Sequence, residues 1–242
     1  KIFIKNCPTC QKMRLVHQCI RAHSFTLASY EPWELVNIDS IGPLPPDENG
    51  NIYIIVIVCC FTRWVELYPV KDTTAKEAAK VIFTHCGRFS YPSTIRSDNG
   101  SQFVNAVIAE LLLLLGINLE LITPYSHEEN GIVERMNKEV MRHLRDICLD
   151  KRATDIWGSH CLPFVQRILN SQEKTSTGVS PAELLFGSTV SLGREILRRP
   201  FREGSADPPQ QLSAYMDKML TTQATLIKIA QEKQLATDSH NM

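Results

Sequence analysis

Apolar residues recur along this chain with two periods, and the switches between them outline its elements. Trp33 to Ile41 (W-E-L-V-N-I-D-S-I) reads as a strand ended by Gly42-Pro43. Asn51 to Phe61 is a near-continuous β-branched run, the pattern of a strand buried on both faces. The Asn49-Gly50 pair between them has turn chemistry. Arg63 to Val70 reads as a third strand, so short turns predict an antiparallel meander.

The pattern then lengthens to a helical period. Thr74-x-x-Glu77 is a capping box opening an Ala-rich helix to His85, closed by Gly87. Thr94 to Ser97 is a short strand, Asn99-Gly100 a turn, Phe103 to Leu115 an apolar helix ended by Gly116, and Ile117 to Ile122 a further strand. After a loop at 123–130, a helix is expected from about Gly131 to Leu149, with Val133, Met136, Val140, Leu144 and Ile147 as its stripe. Asp155 is expected to cap another helix through Leu169, and Ser180-Pro181-Ala182-Glu183 is a second capping box. Residues 203–211 read as a linker before a last helix, Leu212 to Gln234, whose apolar positions suit either a partner or the core. The order predicts an α/β fold: a mixed five-stranded sheet flanked by helices, with a helical C-terminal extension.

Composition narrows the class. The chain has 242 residues, 43% hydrophobic and 21% charged, with 26 Lys+Arg against 26 Asp+Glu, which excludes a polybasic binder or a charged disordered segment. The neutral total is a sum of unlike parts: Lys1, Lys5, Lys12, Arg14 and Arg21 face no acid in residues 1–30, whereas 93–130 set Arg96 against Asp98, Glu110, Glu120, Glu128 and Glu129. Neither long apolar run approaches the roughly 20 residues of a membrane span, so no membrane partner is expected. Eight cysteines in 242 residues are too sparse for a disulfide scaffold, and no signal peptide is evident, so an intracellular, reduced protein is expected, one that starts inside a longer chain.

Three carboxylates carry the candidate chemistry. Asp39 interrupts an apolar strand, where an unpartnered acid is costly. Asp98 ends the fourth strand, and Glu134 lies in the first turn of the expected helix, with 35 residues (99–133) between the two. Separately, each has a plain structural role, as turn cap, helix-start acid or hydrogen-bonded strand residue. Together they form an oxygen-only set suited to divalent cations, and two such ions about 3.5–4 Å apart would clamp an in-line phosphoryl displacement.

The strings around them, P-W-E-L-V-N-I-D-S-I-G-P-L at Asp39, S-D-N-G-S-Q-F at Asp98 and N-G-I-V-E-R at Glu134, resemble the catalytic core of retroviral and gypsy-class LTR-retrotransposon integrases, including their D,D-35-E pattern. Phe61-Thr62-Arg63-Trp64 and Ser180-Pro181 to Gly187 are weaker echoes. Two departures are Cys59-Cys60, where similar elements often carry Asp-Arg, and Ser126-His127-Glu128-Glu129, where many have a His-Pro-Gln type of loop. The resemblance implies an RNase H-like fold, Mg²⁺ or Mn²⁺ dependence, and a polynucleotidyl transferase that trims retroelement DNA ends and joins them to target DNA. It implies Asp39, Asp98 and Glu134 as catalytic metal ligands. It also implies a homo-oligomer, working in the nucleus and cytoplasm within a retroelement particle. A domesticated derivative that binds DNA or chromatin without catalysis is the alternative.

Further residues follow from this reading. Lys138, Arg142 and Arg145 share the side of the helix that bears Glu134 and are candidate DNA-phosphate contacts, although a solvated face with Arg135–Glu139 and Arg142–Asp146 pairs fits the same pattern. Asn99, Gln102 and Tyr125 are candidate contacts in the site loops. Cys7-x-x-Cys10 has zinc-ligand spacing, half of a site whose histidines would lie upstream; Zn²⁺ is expected in a longer protein, with unligated thiols the other reading here. The implied domains are 1–30, a zinc-domain remnant; 31–200, the integrase core; and 201–242, linker and terminal helix.

Overall fold

The computed structural model describes residues 29–122, 127–151, 153–187 and 212–240. Its strands are β1 (Leu35–Ile41), β2 (Tyr53–Cys59), β3 (Val65–Val70), β4 (Thr94–Ser97) and β5 (Asn118–Leu121). Its helices are α1 (Ala75–Arg88), α2 (Ala106–Leu115), α3 (His127–Lys151), α4 (Leu162–Ser171), α5 (Pro181–Phe186) and α6 (Leu212–His240), with a π-helical turn at Trp157–Cys161 leading into α4. The sheet order is β3-β2-β1-β4-β5. β1, β2 and β3 pair antiparallel as the predicted meander, and β4 and β5 continue parallel to β1. This is the mixed five-stranded sheet flanked by helices that the periodicity predicts.

β2 organises both faces. Ile54, Val56 and Val58 pack with β3, the α3 stripe and α4, while Ile55 and Ile57 pack with β1, β4, α1 and α2 on the other side. All five are at most 3% exposed, which is why the strand has no alternation of polar and apolar residues. A smaller cluster joins Cys59, Phe61 and Leu184 to Ala230, with Leu226 and Ile227 alongside, so α6 lies on the core. Among the described residues no helix is long and apolar enough to cross a membrane. Cys59, Cys60, Cys86, Cys148 and Cys161 are free and buried.

Several boundaries differ from expectation, each because a local bond wins. α2 starts at Ala106, not Phe103: Asn105 caps it by accepting from the Ile108 N–H at 3.0 Å, and Phe103 turns into the core. α1 runs through Gly87 to Arg88. Asp155 caps no helix; its carbonyl accepts from the Glu48 N–H at 2.6 Å, and the π turn follows Ile156 without a side-chain cap. Phe61 to Arg63 form the β2–β3 turn rather than a strand, with Arg63 at φ 62°. α3 begins at His127, so Glu134 sits about two turns into the helix rather than in its first. The Ser180 box is as expected: Glu183 N–H donates to Ser180 Oγ, and the Ser180 N–H donates back to the carboxylate.

The edge strand β3 is covered by side chains of α4. Asn170 donates Nδ2–H to the Val65 carbonyl at 2.8 Å and accepts from the Val65 N–H at 2.8 Å, while Gln166 accepts from the Leu67 N–H. A free edge is thereby blunted. Replacing Asn170 leaves a buried amide and carbonyl unsatisfied. Asn170→Leu should therefore cost about 1–3 kcal/mol, measured as a lower urea midpoint with an unchanged m-value; an unchanged midpoint would contradict the assignment.

Candidate active site

Parallel pairing brings the two aspartates together. Ile38 of β1 stands opposite Ser97 of β4, so Asp39 and Asp98 follow at neighbouring positions where β4 runs out and β1 continues. Val36 and Ile38 belong to the core under α1 and α2, which sends Asp39 to the α3 side. There α3 lies with Val133, Met136, Val140, Leu144 and Cys148 against β2 and β3, and this rotation leaves Glu134 half-buried beside the strand ends.

Asp39 is the most constrained of the three. Its Oδ1 accepts from the Ser40 N–H at 2.7 Å, and its Oδ2 accepts from Asn137 Nδ2 at 2.7 Å. Burial pushes its carboxyl above the ordinary range, the Ser40 N–H opposes this, and the negative charges of Asp98 and then Glu134 push it up again, with Asn137 opposing. Asp98 is exposed and accepts from the Gly100 N–H at 3.0 Å, which fixes the turn after β4.

An oxygen-only donor set whose members repel one another fits a hard divalent cation by its chemistry. Among the described residues, however, no three Asp, Glu, His or Cys side chains are grouped closely enough to hold one ion as they stand. Charge convergence is present; a closed ligand cage is not.

Asn137 was not singled out by sequence. It lies three residues beyond Glu134, and an Asn inside a helix is a poor helix former, the one signal that could have marked it. Among the described residues its Oδ1 is buried with no hydrogen-bond partner, and its side chain bonds to Asp39.

The other candidates are scattered. Lys138, Arg142 and Arg145 are exposed on α3 within about 80° of Glu134 around the axis. The expected Arg135–Glu139 and Arg142–Asp146 pairs do not form: Arg135 Nε donates to the Gly131 carbonyl, Glu139 meets Lys174 at 3.4 Å, and Arg142 lies 3.4 Å from His143 Nε2. Arg145 edges an apolar groove of about 260 Å³ with Leu44, Leu144 and Trp157. Gln102 is half-buried with Nε2 3.5 Å from Ser40 Oγ, close to Asp39, whereas Asn99 is exposed. Tyr125, Cys7 and Cys10 lie outside the described residues.

Residues 29–127 match the family model described as integrase core domain. The chain is similar to the Pro-Pol polyprotein of Simian foamy virus type 3, 34% identical over 184 residues, which are 72% of this chain and 16% of that polyprotein. It is also similar to the retrovirus-related Pol polyprotein from transposon 412 of Drosophila melanogaster, 31% identical over 162 residues, 66% of this chain and 13% of that protein. The chain thus spans only about a sixth of these relatives. In fold it resembles the HTLV-2 integrase catalytic core domain, solved in complex with magnesium in a trimeric form (TM-score 0.54, 18% identity, 64% of this chain and 97% of that one). The BIV integrase catalytic core domain is similar as well (TM-score 0.51, 24% identity, 63% and 93%). The similarity to the integrase core domain family is thus carried by residues 29–127.

Proposed function

We propose that this chain is the catalytic part of a DNA-integrating polynucleotidyl transferase that depends on Mg²⁺ or Mn²⁺, trims the 3′ end of retroelement DNA and transfers that end into a target strand. The observation that carries the reading is the convergence of Asp39 within β1, Asp98 at the end of the adjacent parallel β4, and Glu134 on α3, close enough that the last two charges act on the first. The match of residues 29–127 to the integrase core domain model supports it, as does the magnesium in the HTLV-2 core structure.

In this reading the three carboxylates would hold the cation. When bound, the cation supplies neutralising charge and polarises phosphoryl oxygens. Asn137 and the Ser40 N–H fix the orientation of the Asp39 carboxylate, and Gly100 fixes that of Asp98. Lys138, Arg142 and Arg145 bind backbone phosphates leading to the site. Water, and then the freed 3′-hydroxyl, is the attacking group, so no Ser or Tyr nucleophile is required. Action as a homo-oligomer, zinc at Cys7 and Cys10 within a longer protein, a core over 31–200, and work in the nucleus all belong to the same proposal.

The test is Mg²⁺- or Mn²⁺-dependent strand transfer, or its reversal on branched DNA, by the purified chain. Asp98→Asn or Glu134→Gln should each abolish product on a denaturing gel while the variant keeps its circular dichroism spectrum; undiminished product in either variant sinks the catalytic assignment. Asn137→Ala tests the positioning role. Loss of a group that orients a metal ligand typically weakens metal affinity 10- to 100-fold, so this variant should need about tenfold more Mg²⁺ for half-maximal rate and recover part of its activity at high Mg²⁺. A lower rate with an unshifted Mg²⁺ dependence would assign Asn137 a purely structural role.

A further inference from the structure

The flank of α3 turned away from the carboxylates borders a second pocket, whose apolar wall is formed by Ile132 and Met136. It has a volume of about 130 Å³ and is lined by Arg63 from the β2–β3 turn, Arg135 and Glu139 from α3, and Lys174, Thr175 and Ser176 from the α4–α5 loop. These positions on α3 lie about 100–140° around the helix axis from Glu134, so the pocket is separate from the candidate active site. Three cations face one carboxylate there.

Among the described residues, the bonds inside the pocket leave that positive charge largely unanswered. Lys174 is paired with Glu139 at 3.4 Å. Arg135 uses Nε on the Gly131 carbonyl at 2.9 Å. Among the described residues Arg63 makes one long bond, from Nε to Ser176 Oγ at 3.4 Å, and its Nη1 is buried with no acceptor. Burial weakens the hold of Arg63 on its proton, Arg135 repels it, and Asp238, a carboxylate that favours its charge, already accepts from the Tyr30 hydroxyl at 3.3 Å. A buried guanidinium without a counter-ion is costly, and an oxyanion removes that cost.

The donor set indicates which anion. Two guanidiniums offer planar forks, and an ammonium and two hydroxyls add further donors, which together suit a tetrahedral oxyanion. A volume of about 130 Å³ equals the share of about four waters. That is room enough for a phosphate group. We propose that this pocket is a phosphate-binding site, taking either a backbone phosphodiester of a nucleic acid or free phosphate. It requires nothing of Asp39, Asp98 or Glu134.

The test titrates inorganic phosphate into the whole chain by calorimetry at constant ionic strength, with EDTA present so that no metal at the carboxylates can take part. One saturable site is expected, weakened at least tenfold, about 1.4 kcal/mol, by Arg135→Gln and by Arg63→Gln, and unaffected by Lys80→Gln, which removes a distant surface charge. Arg63→Gln alters a buried group, so its thermal midpoint is checked; Arg135→Gln, at an exposed position, carries the test by itself. A second arm uses a duplex oligonucleotide. Weaker duplex binding by Arg135→Gln, with phosphate competing, identifies the backbone as the source, and unchanged duplex binding with lost phosphate binding identifies free phosphate. Absence of saturable phosphate binding, or equal binding by Arg135→Gln, overturns the site without bearing on the carboxylate centre.

Discussion

The rotation of α3 about its own axis is the constraint on which the rest of the structure depends. Val133, Met136, Val140, Leu144 and Cys148 all lie within the core formed with Ile54, Val56, Val58, Val65 and Leu67. Full burial of one such aliphatic side chain is worth about 1.5–3 kcal/mol, so turning the helix by one residue would expose several of them and push Glu134 or Lys138 into hydrocarbon. With that rotation set, Glu134 and Asn137 reach the end of β1, Lys138, Arg142 and Arg145 remain in water, and Arg135 and Glu139 fall on the opposite flank beside Arg63. One apolar stripe thereby assigns three different faces of a single helix.

The sheet supplies the matching half. β2 is buried on both sides, so it tolerates no slip: a shift by one residue would exchange the residues under α3 for those under α1 and α2. β1 hydrogen-bonds to β2 on one side and β4 on the other; β4 ends at Ser97 opposite Ile38, while β1 continues to Ile41 against β2, so Asp39 lies just past the end of the β1–β4 pairing. Two carboxylates then lie side by side past the end of the β1–β4 pairing, where helix, turn and strand groups satisfy them. Asn137, Ser40 and Gly100 do so. The mutual repulsion that remains is the feature a cation would relieve.

Much of this was legible along the chain. Strand and helix types followed from the two periods, and the Ser180 capping box and the Gly116 stop occur where read. Boundaries were less legible because they depend on single bonds with distant or local competitors. Asn105 rather than Gly100 decides where α2 begins, and the Glu48 N–H takes the Asp155 carbonyl from a neighbouring loop. The carboxylate triad was readable because its spacing and flanking strings are distinctive. Asn137 and Arg63 were not, since an Asn on a helix and an Arg in a turn carry no local mark of the partners they meet.

The sequence by itself determined the class of fold and the order of its elements, and it marked three acids as candidates, because periodicity, caps and spacing are local properties of the chain. Only the tertiary structure decided which groups share a site. It brought Asn137 to Asp39 across 98 positions and set Arg63 and Ser176, 113 positions apart, within one pocket. It also laid α6 on the core through Ala230, a choice its apolar pattern left open. The physical reason is common to all three. Burial is paid in contact area between elements, and no single segment contains the surface against which it will be buried.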